Sequence, residues 1–475
     1  MHKFSIKMNI QFLGATGDVT GSKHLITTDG GKKILLDCGM YQGKGDATDS
    51  MNRDLGFNPE NIDYLMLTHA HIDHSGLIPY INNLKFKGKV ICTVATRNLC
   101  SIMLPDSGYI QENDTKWYNK KLASKGLPPV KPIYDHQAAV DSMSCFFSYP
   151  LDKEINLFDG IKVKFTNTGH MLGSAVANLE ITEWGKTTKI AYTGDIGRLN
   201  PKILTPPTEF PQADYLIMES TYGNRLHTKS GDDEKMLFDI ILDTCCKRKG
   251  KLIIPSFSVG RTQEIVNTLN TFFNEGKLPS IDIYVDSPLS VNATEIFRMH
   301  TECFNEATRD AINSGGDAFG FDRLKYIKNI SDSKRLNTTR KPCVIISASG
   351  MAEAGRVKHH IANSISNKRN TILLVGYCAP TTLGARIQEP NLKNISIFGV
   401  EHKINARIET IESYSGHADY EEMYQFISCQ DPKQLKKIFL VHGEDDSRNF
   451  LSKYLNTKGF NNIHIPKRGE IFEIK

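Results

Sequence analysis

Residues 65–79 read LMLTHAHIDHSGLIP. The apolar run Leu65–Leu67 stops, and His69, His71, Asp73 and His74 follow within six positions. The chain holds only 15 histidines in 475 residues, so composition does not explain the crowding. On an extended segment His69 and His71 alternate, and both point the same way. Asp73 and His74 follow in the turn, where they can face a second ion. Imidazole nitrogens and carboxylate oxygens suit Zn²⁺, with Mn²⁺ or Fe²⁺ as alternatives. One histidine alone reads as a hydrogen-bonded core or surface residue. Three with an aspartate, just past a strand, read as a metal centre.

The rest of the chain sets bounds. Its length suggests two to three domains. With 40% hydrophobic and 23% charged residues it has an ordinary globular composition. No apolar run approaches the roughly 18–20 residues that span a bilayer. The opening MHKFSIKMNIQFLG enters a strand-like pattern and lacks the apolar region and cleavage site of a secretory leader. Ten cysteines form no C-x-x-C pair, which disfavours a thiolate zinc site and suits a reducing, cytoplasmic setting. A net charge of +5 permits a polyanionic partner without indicating one.

Strand-like runs punctuate the first half: MNIQFLGA, KKILLDCG, NIDYLMLTH, GKVICTV, IKVKFTNTG, TKIAYTGD and ADYLIMES. Helical patterns cover 74–84 and about 105–125. This predicts a layered α/β domain. In the middle, KLIIPSF, IDIYVDSP, PCVIISASG and TILLVGYCA are separated by helical stretches such as TQEIVNTLNTFF and RVKHHIANSIS. That rhythm predicts a parallel sheet with crossover helices. From about 410 the earlier style returns, with KIFLVHGEDD and EIFEIK. Two domains are expected, one split by the other: 1–222 and 409–475 around 223–408.

THAHIDH resembles the H-x-H-x-D-H motif of the metallo-β-lactamase superfamily, and further pieces follow in order: Asp37 in LLDCG, His170 in NTGHMLGS and Asp195 in YTGDIGR. The resemblance implies an αββα sandwich holding two zinc ions. It gives the first ion His69, His71 and His170, and the second Asp73, His74 and a later histidine. Asp195 would bridge both, and Asp37 would orient a ligand or the nucleophile. Two ions about 3.5–4 Å apart hold a hydroxide between them and stabilise the attacking and leaving oxygens of an in-line displacement.

About 245 residues separate Asp195 from the best final ligand, His442 in LVHGE. An insert of that size resembles the β-CASP domain of nucleic-acid-processing members. ADYLIMESTYG, with Glu219, and ESYSGHADY, with His417, resemble motifs of that branch. A final histidine resembles its RNA-processing members, and the compact architecture looks like bacterial relatives of the pre-mRNA 3′-end endonuclease subunit. With MNIQFLG near its start and EIFEIK at its end, the chain is expected to lack the N-terminal KH domains of archaeal relatives and a long C-terminal tail. The resemblance implies that Glu219 pairs with His417, which as imidazolium protonates the leaving 3′ oxygen. It also implies an active site between the domains, single-stranded RNA as substrate and 5′-phosphate products. Dimers are common in the family.

Four segments of the insert are rich in donors: Ser256, Ser258 and Arg261 in PSFSVGRTQE, Ser287 in VDSPLS, Ser347 and Ser349 in SASGMAEAGR, and Thr382, Gly384 and Arg386 in YCAPTTLGAR. Each alone reads first as a helix cap. Together, at strand ends of one parallel sheet, they read as phosphate contacts along a groove. Where the family has G-T-L-G-R this chain has TTLGAR, so Ala385 stands at the expected arginine and Arg386 comes one position later. Lys116, Lys120, Lys121 and Lys125, with Trp117 and Tyr118 among them, read either as an RNA contact or as a solvated helix face. The rival readings are a small-molecule thioester or lactone hydrolase and a catalytically inactive RNA-binding scaffold.

Overall fold

The first strand, Asn9–Phe12, alternates polar and apolar residues, and Ile10 and Phe12 are accordingly buried. It belongs to a computed structural model that describes residues 7–475, except 44, 46, 159, 228–232, 377, 380 and 412–414. The first three residues of the ESYSGHADY motif thus lie outside the described residues. The chain divides into two units, Met1–Leu226 with His417–Lys475, and His227–Gly416.

The first unit holds two seven-stranded sheets. One runs in the order Ile471–Glu473, Asn9–Phe12, His24–Thr27, Lys33–Leu36, Tyr64–Met66, Lys89–Thr93, Phe146–Tyr149. The other runs Ile463–His464, Lys437–Leu440, Tyr215–Met218, Lys186–Tyr192, Ala175–Glu183, Ile161–Asn167, Glu154–Phe158. Ile10, Phe12, Ile34, Leu36 and Met66 of the first pack with Phe165, Leu179, Ile190, Tyr192 and Phe439 of the second in one buried core. Helices cover the outer faces. Helix Val94–Ala123 buries Leu99 and Met103. Met423, Phe426, Leu451 and Leu455 cover Leu216, Met218 and Leu440. The expected αββα sandwich is the fold observed.

The second unit carries a six-stranded sheet, all parallel, ordered Leu324–Tyr326, Asp282–Val285, Cys343–Ser347, Lys251–Pro255, Thr371–Val375, Arg407–Ile411. Its central strands are buried on both faces, as an apolar run such as CVIIS requires.

Local differences from the expected elements have local causes. The helix expected at 74–84 is two short helices, Ile72–Ser75 and Ile78–Asn83, because Pro79 restarts the second in its first turn. The helix expected from about 105 begins at Val94, where the Thr93 hydroxyl accepts the Thr96 amide at 3.2 Å, and runs through Pro105. Strands His24–Thr27, Ala175–Glu183 and Arg407–Ile411 were not expected. The first and last carry polar and charged residues that mask the strand pattern.

Candidate metal centre

Asp37, His69, His170, Asp195, Glu219 and His442 all lie just past the carboxyl ends of strands. Strand direction, rather than sequence proximity, collects them. Two glycines allow the close approach. A side chain on Gly39 would collide with the Asp73 carbonyl oxygen, 1.6 Å from where its Cβ would stand, so the LLDCG turn can lie on the Asp73 backbone. Gly194, at φ +55°, lets the Asp195 turn pass 2.5 Å from the Thr68 hydroxyl in the same sense. Asp37 and His442 themselves adopt φ +56° and +48°, a region few side chains other than Asn, Asp and His tolerate.

Ligand-capable atoms of His69, His71, His170 and Asp195 fall within 4.8 Å of one another, as do those of Asp73, His74 and His442. Asp195 joins the two groups. Its Oδ2 lies 3.4 Å from His69 Nε2 and 3.5 Å from His170 Nε2. Its Oδ1 lies 3.2 Å from His74 Nε2 and 3.3 Å from His442 Nδ1. His442 Nε2 also stands 3.3 Å from His74 Nε2 and 3.5 Å from Asp73 Oδ2. The seven residues expected as ligands are therefore brought together.

The donor set fits divalent cations. His69 Nε2 and Asp195 Oδ1 are buried and form no well-aligned hydrogen bond among the described residues, although imidazole nitrogens and carboxylate oxygens face each other at 3.2 and 3.4 Å. A cation would relieve this costly state. Burial pushes the His71 imidazole down to about 3 and holds His69 and His170 below their ordinary range, so these rings are neutral and able to ligate. Burial would raise the Asp195 carboxyl, but His442, His74 and His69 hold it well below the ordinary carboxylate range.

Asp37 does not stand among these atoms but behind them. It accepts the Thr68 amide and hydroxyl at 2.8 Å each, His74 Nδ1 at 2.6 Å and the Tyr192 hydroxyl at 2.9 Å. Thr68 and Tyr192 were missed in the sequence, although each sits within three residues of a motif ligand. Thr221, whose hydroxyl is 3.0 Å from His442 Nδ1, was also missed.

Glu219 is buried and His417 partly exposed, with His417 Nδ1 3.2 Å from Glu219 Oε2. The Ile196 and Thr221 amides donate to the same carboxylate and fix it. Burial would lower the His417 imidazole, but the Glu219 charge and hydrogen bond outweigh it and push it up to about 9. The His417 ring lies 4.6 Å, centroid to centroid, from that of His170.

The donor-rich segments of the second unit gather at the carboxyl ends of its parallel strands. Ser258 and Ser287 hydroxyls are 3.3 Å apart, and Ser287 caps helix Pro288–Met299. Thr382 caps Leu383–Arg386, and Gly384 packs its backbone on Met351. Arg386 is exposed. Arg261 pairs with Glu264 at 2.8 Å. Ser349 bonds Ala354 at 3.3 Å. Ser256 and Ser347 are buried, their hydroxyls donating to the Phe257 and Asp286 carbonyls.

A two-sheet sandwich with a histidine–carboxylate cluster at one edge of its strands defines a metallohydrolase scaffold. Family models extend this along the chain. The metallo-beta-lactamase superfamily matches residues 17–238, the Beta-Casp domain 262–387, and the Zn-dependent metallo-hydrolase RNA specificity domain 401–466. The chain belongs to the β-CASP family of the metallo-β-lactamase superfamily. It is 30% identical to Ribonuclease TTHA0252 of Thermus thermophilus over 98% of this chain and 99% of that protein. It is 33% identical to the RNase J-like protein of Methanocaldococcus jannaschii, over 93% and 94%. Transcription termination factor FttA of Methanococcus maripaludis is 31% identical over 91% of this chain, which spans 66% of that protein's length. The fold alone is shared with a protein of unknown function from Enterococcus faecalis, at a TM-score of 0.53, 12% identity and coverage of 99% and 100%.

Proposed function

We propose that the chain is a two-zinc ribonuclease that hydrolyses phosphodiester bonds of single-stranded RNA and leaves 5′ phosphates. The observation that carries this reading is Asp195, whose two oxygens face two separate sets of histidines. The RNA specificity segment and the ribonuclease relatives support the substrate. His69, His71 and His170 would hold one ion, Asp73, His74 and His442 the other, and Asp195 both; manganese is the alternative metal. Two such ions supply water activation near neutral pH and neutralise charge on the phosphate.

The protein's own groups do the rest. Asp37 fixes the ring of His74 by taking its Nδ1 proton in a hydrogen bond. Glu219 orients His417 and keeps it protonated at neutral pH. As the P–O3′ bond breaks, His417 Nε2 gives its proton to the departing 3′ oxygen, and the incoming water oxygen stays on phosphorus. In the second unit, Ser258, Arg261, Ser287, Ser349, Thr382, Gly384 and Arg386 are the phosphate contacts. Ser256 and Ser347 shape their loops from beneath. Ten free cysteines suit action in the cytoplasm.

The test is incubation of the purified chain with 5′- and 3′-labelled single-stranded RNA, with and without chelator. Chelator-sensitive fragments ending in 5′ phosphate are expected. Mid-length fragments mark internal cleavage, and immediate mononucleotides from the 5′ label mark exonuclease action. Turnover of a thioester or lactone with no cleavage of any RNA overturns the reading.

A further inference from the structure

Helix Val94–Ala123 begins against the metal-centre loops and ends far from them. The Thr93 and Thr96 hydroxyls donate to the Gly173 carbonyl at 2.7 and 2.9 Å, three residues beyond His170. At 1.5 Å per residue, Trp117 lies about 30 Å further along the axis.

The far end has two unlike faces. Gln111, Thr115, Asn119 and Leu122 are half-buried and form the inward stripe. The opposite face carries Tyr109, Ile110, Asn113, Lys116, Trp117, Lys120 and Lys121, all exposed, with Asp114 at its margin; the exposed Tyr118 flanks the inward stripe next to Trp117, and Lys125 follows the helix end. Trp117 is 68% exposed, which is unusual for an indole. Residues 113–131 contain five lysines and one aspartate, against a whole-chain net charge of +5. Lys116, Lys120, Lys121 and Lys125 have no carboxylate partner among the described residues. Lys121 Nζ lies 6.0 Å from the centre of the Trp117 ring.

This end is held in shape. The Asn119 side chain donates to the Val130 carbonyl at 2.9 Å and accepts the Val130 amide at 2.8 Å. Arg53 donates to the Lys131 carbonyl at 2.8 Å. The aromatic rings therefore stand on an ordered helix, and little ordering is lost when something binds.

We propose that this helix end is a second RNA-binding surface, on which the lysines hold phosphates and Trp117 and Tyr118 stack on bases of the single strand. The inference rests on the ribonuclease reading for its choice of polyanion. Charge decides the occupant, because protein interfaces are depleted in lysine whereas lysines interleaved with exposed aromatics suit a single-stranded nucleic acid. A duplex offers no free base faces to stack on. At the roughly 3.4 Å spacing of stacked nucleotides, a strand reaching both the metal centre and Trp117 is about ten nucleotides long.

The test reads binding apart from cleavage. The metal-loaded full chain carries His417→Ala, so that RNA is not turned over, and fluorescence anisotropy follows an unstructured labelled 30-nucleotide RNA. K116A/K120A/K121A/K125A is expected to weaken binding tenfold or more at moderate salt. It should also lower the slope of log affinity against log salt by about 3, for four lysines on a single strand. Trp117→Ala is expected to weaken binding about tenfold, with Trp117→Phe restoring most of it. The altered side chains are exposed, and an unchanged melting temperature confirms the fold. Changes below twofold in both variants overturn the proposal, as does loss of self-association in sedimentation with RNA binding intact, which would assign the face to a second copy. RNA that binds in this manner but is never cut by the unaltered chain sinks the ribonuclease reading and leaves the surface standing.

Discussion

Asp37 Oδ2 lies 2.6 Å from His74 Nδ1, both side chains fully buried. A carboxylate only accepts, so the proton sits on Nδ1 and His74 presents Nε2 towards Asp195, 3.2 Å away. Burial would lower the His74 imidazole, but Asp195 and Asp37 hold it well above its ordinary range. A cation at Nε2 therefore has a proton to displace. Zinc binding should release protons and tighten as pH rises. Asp37→Asn removes the charge that fixes this ring and should weaken metal affinity about 10–100-fold. Competition against a chromophoric chelator at several pH values checks both statements. Affinity equal to that of the unaltered chain would place Asp37 outside the site.

Two oxygens of one carboxylate cannot be lost without both metal positions feeling it. Asp195→Asn is expected to reduce bound metal at both positions together, measured by elemental analysis after dialysis. His71→Ala, whose ring sits with the His69–His170 group alone, should reduce one more than the other. Because ions bind the folded chain, chelator should lower its melting temperature, and restored zinc should recover it. A melt indifferent to chelator contradicts a metal built into the fold.

If His417 is the proton donor proposed above, the pH dependence has a definite sign. Glu219 holds His417 up to about 9, against an ordinary value near 6.5. Below about 9 the imidazolium is present and can donate; above it the donor is lost, so the rate should fall as pH rises through that point. Glu219→Gln removes the opposing charge and should move the alkaline limb towards 6.5. His417→Ala should lower kcat by roughly 10²–10⁴. A pH–rate profile on labelled single-stranded RNA reads all three. An alkaline limb that stays in place in Glu219→Gln removes the pair from the proton transfer.

The sandwich was readable, and the seven side chains expected as ligands stood out, because histidines and carboxylates clustered beside apolar strands are chemically conspicuous. Their supporting groups were not. Thr68 and Tyr192 look like ordinary strand residues, and only folding shows that both hydroxyls end on Asp37. The donor-rich segments of the second unit show the opposite limit. Serines at strand ends look alike in sequence, but Ser256 and Ser347 are buried and tied to backbone carbonyls, while Ser258 and Ser287 face each other. Strand Arg407–Ile411 was hidden because RIETI carries charges at the sheet edge, where Arg407 pairs with Asp243 at 2.9 Å and stands 3.6 Å from Glu409.

Asp286, just past strand Asp282–Val285, is a buried carboxylate that the sequence did not single out. Its Oδ1 accepts Arg356 Nη1 at 2.6 Å, and its Oδ2 lies 2.6 Å from His360 Nε2 and 2.5 Å from Ser333 Oγ. Asn337 holds the other ring nitrogen of His360 at 2.7 Å. The cluster ties the helices Ile330–Thr338 and Arg356–Ser364 to the strand end that leads into Ser287. Burial would raise the Asp286 carboxyl, but bonds from His360, Ser333 and Arg356 hold it below its ordinary value. The unfolded chain then binds more protons than the folded one as pH falls through the carboxylate range. The stabilisation is complete above about pH 4, the unfolded value, and fades as pH drops through the lower folded value. Asp286→Asn keeps the shape but strips the charge that His360 and Arg356 face. It should destabilise the second unit by about 3 kcal/mol at pH 7 and flatten its loss of stability in acid. Urea melts of the full chain at pH 7 and at several points below pH 5 give both quantities. A variant that melts with the unaltered chain at every pH shows that the cluster does not hold the unit together.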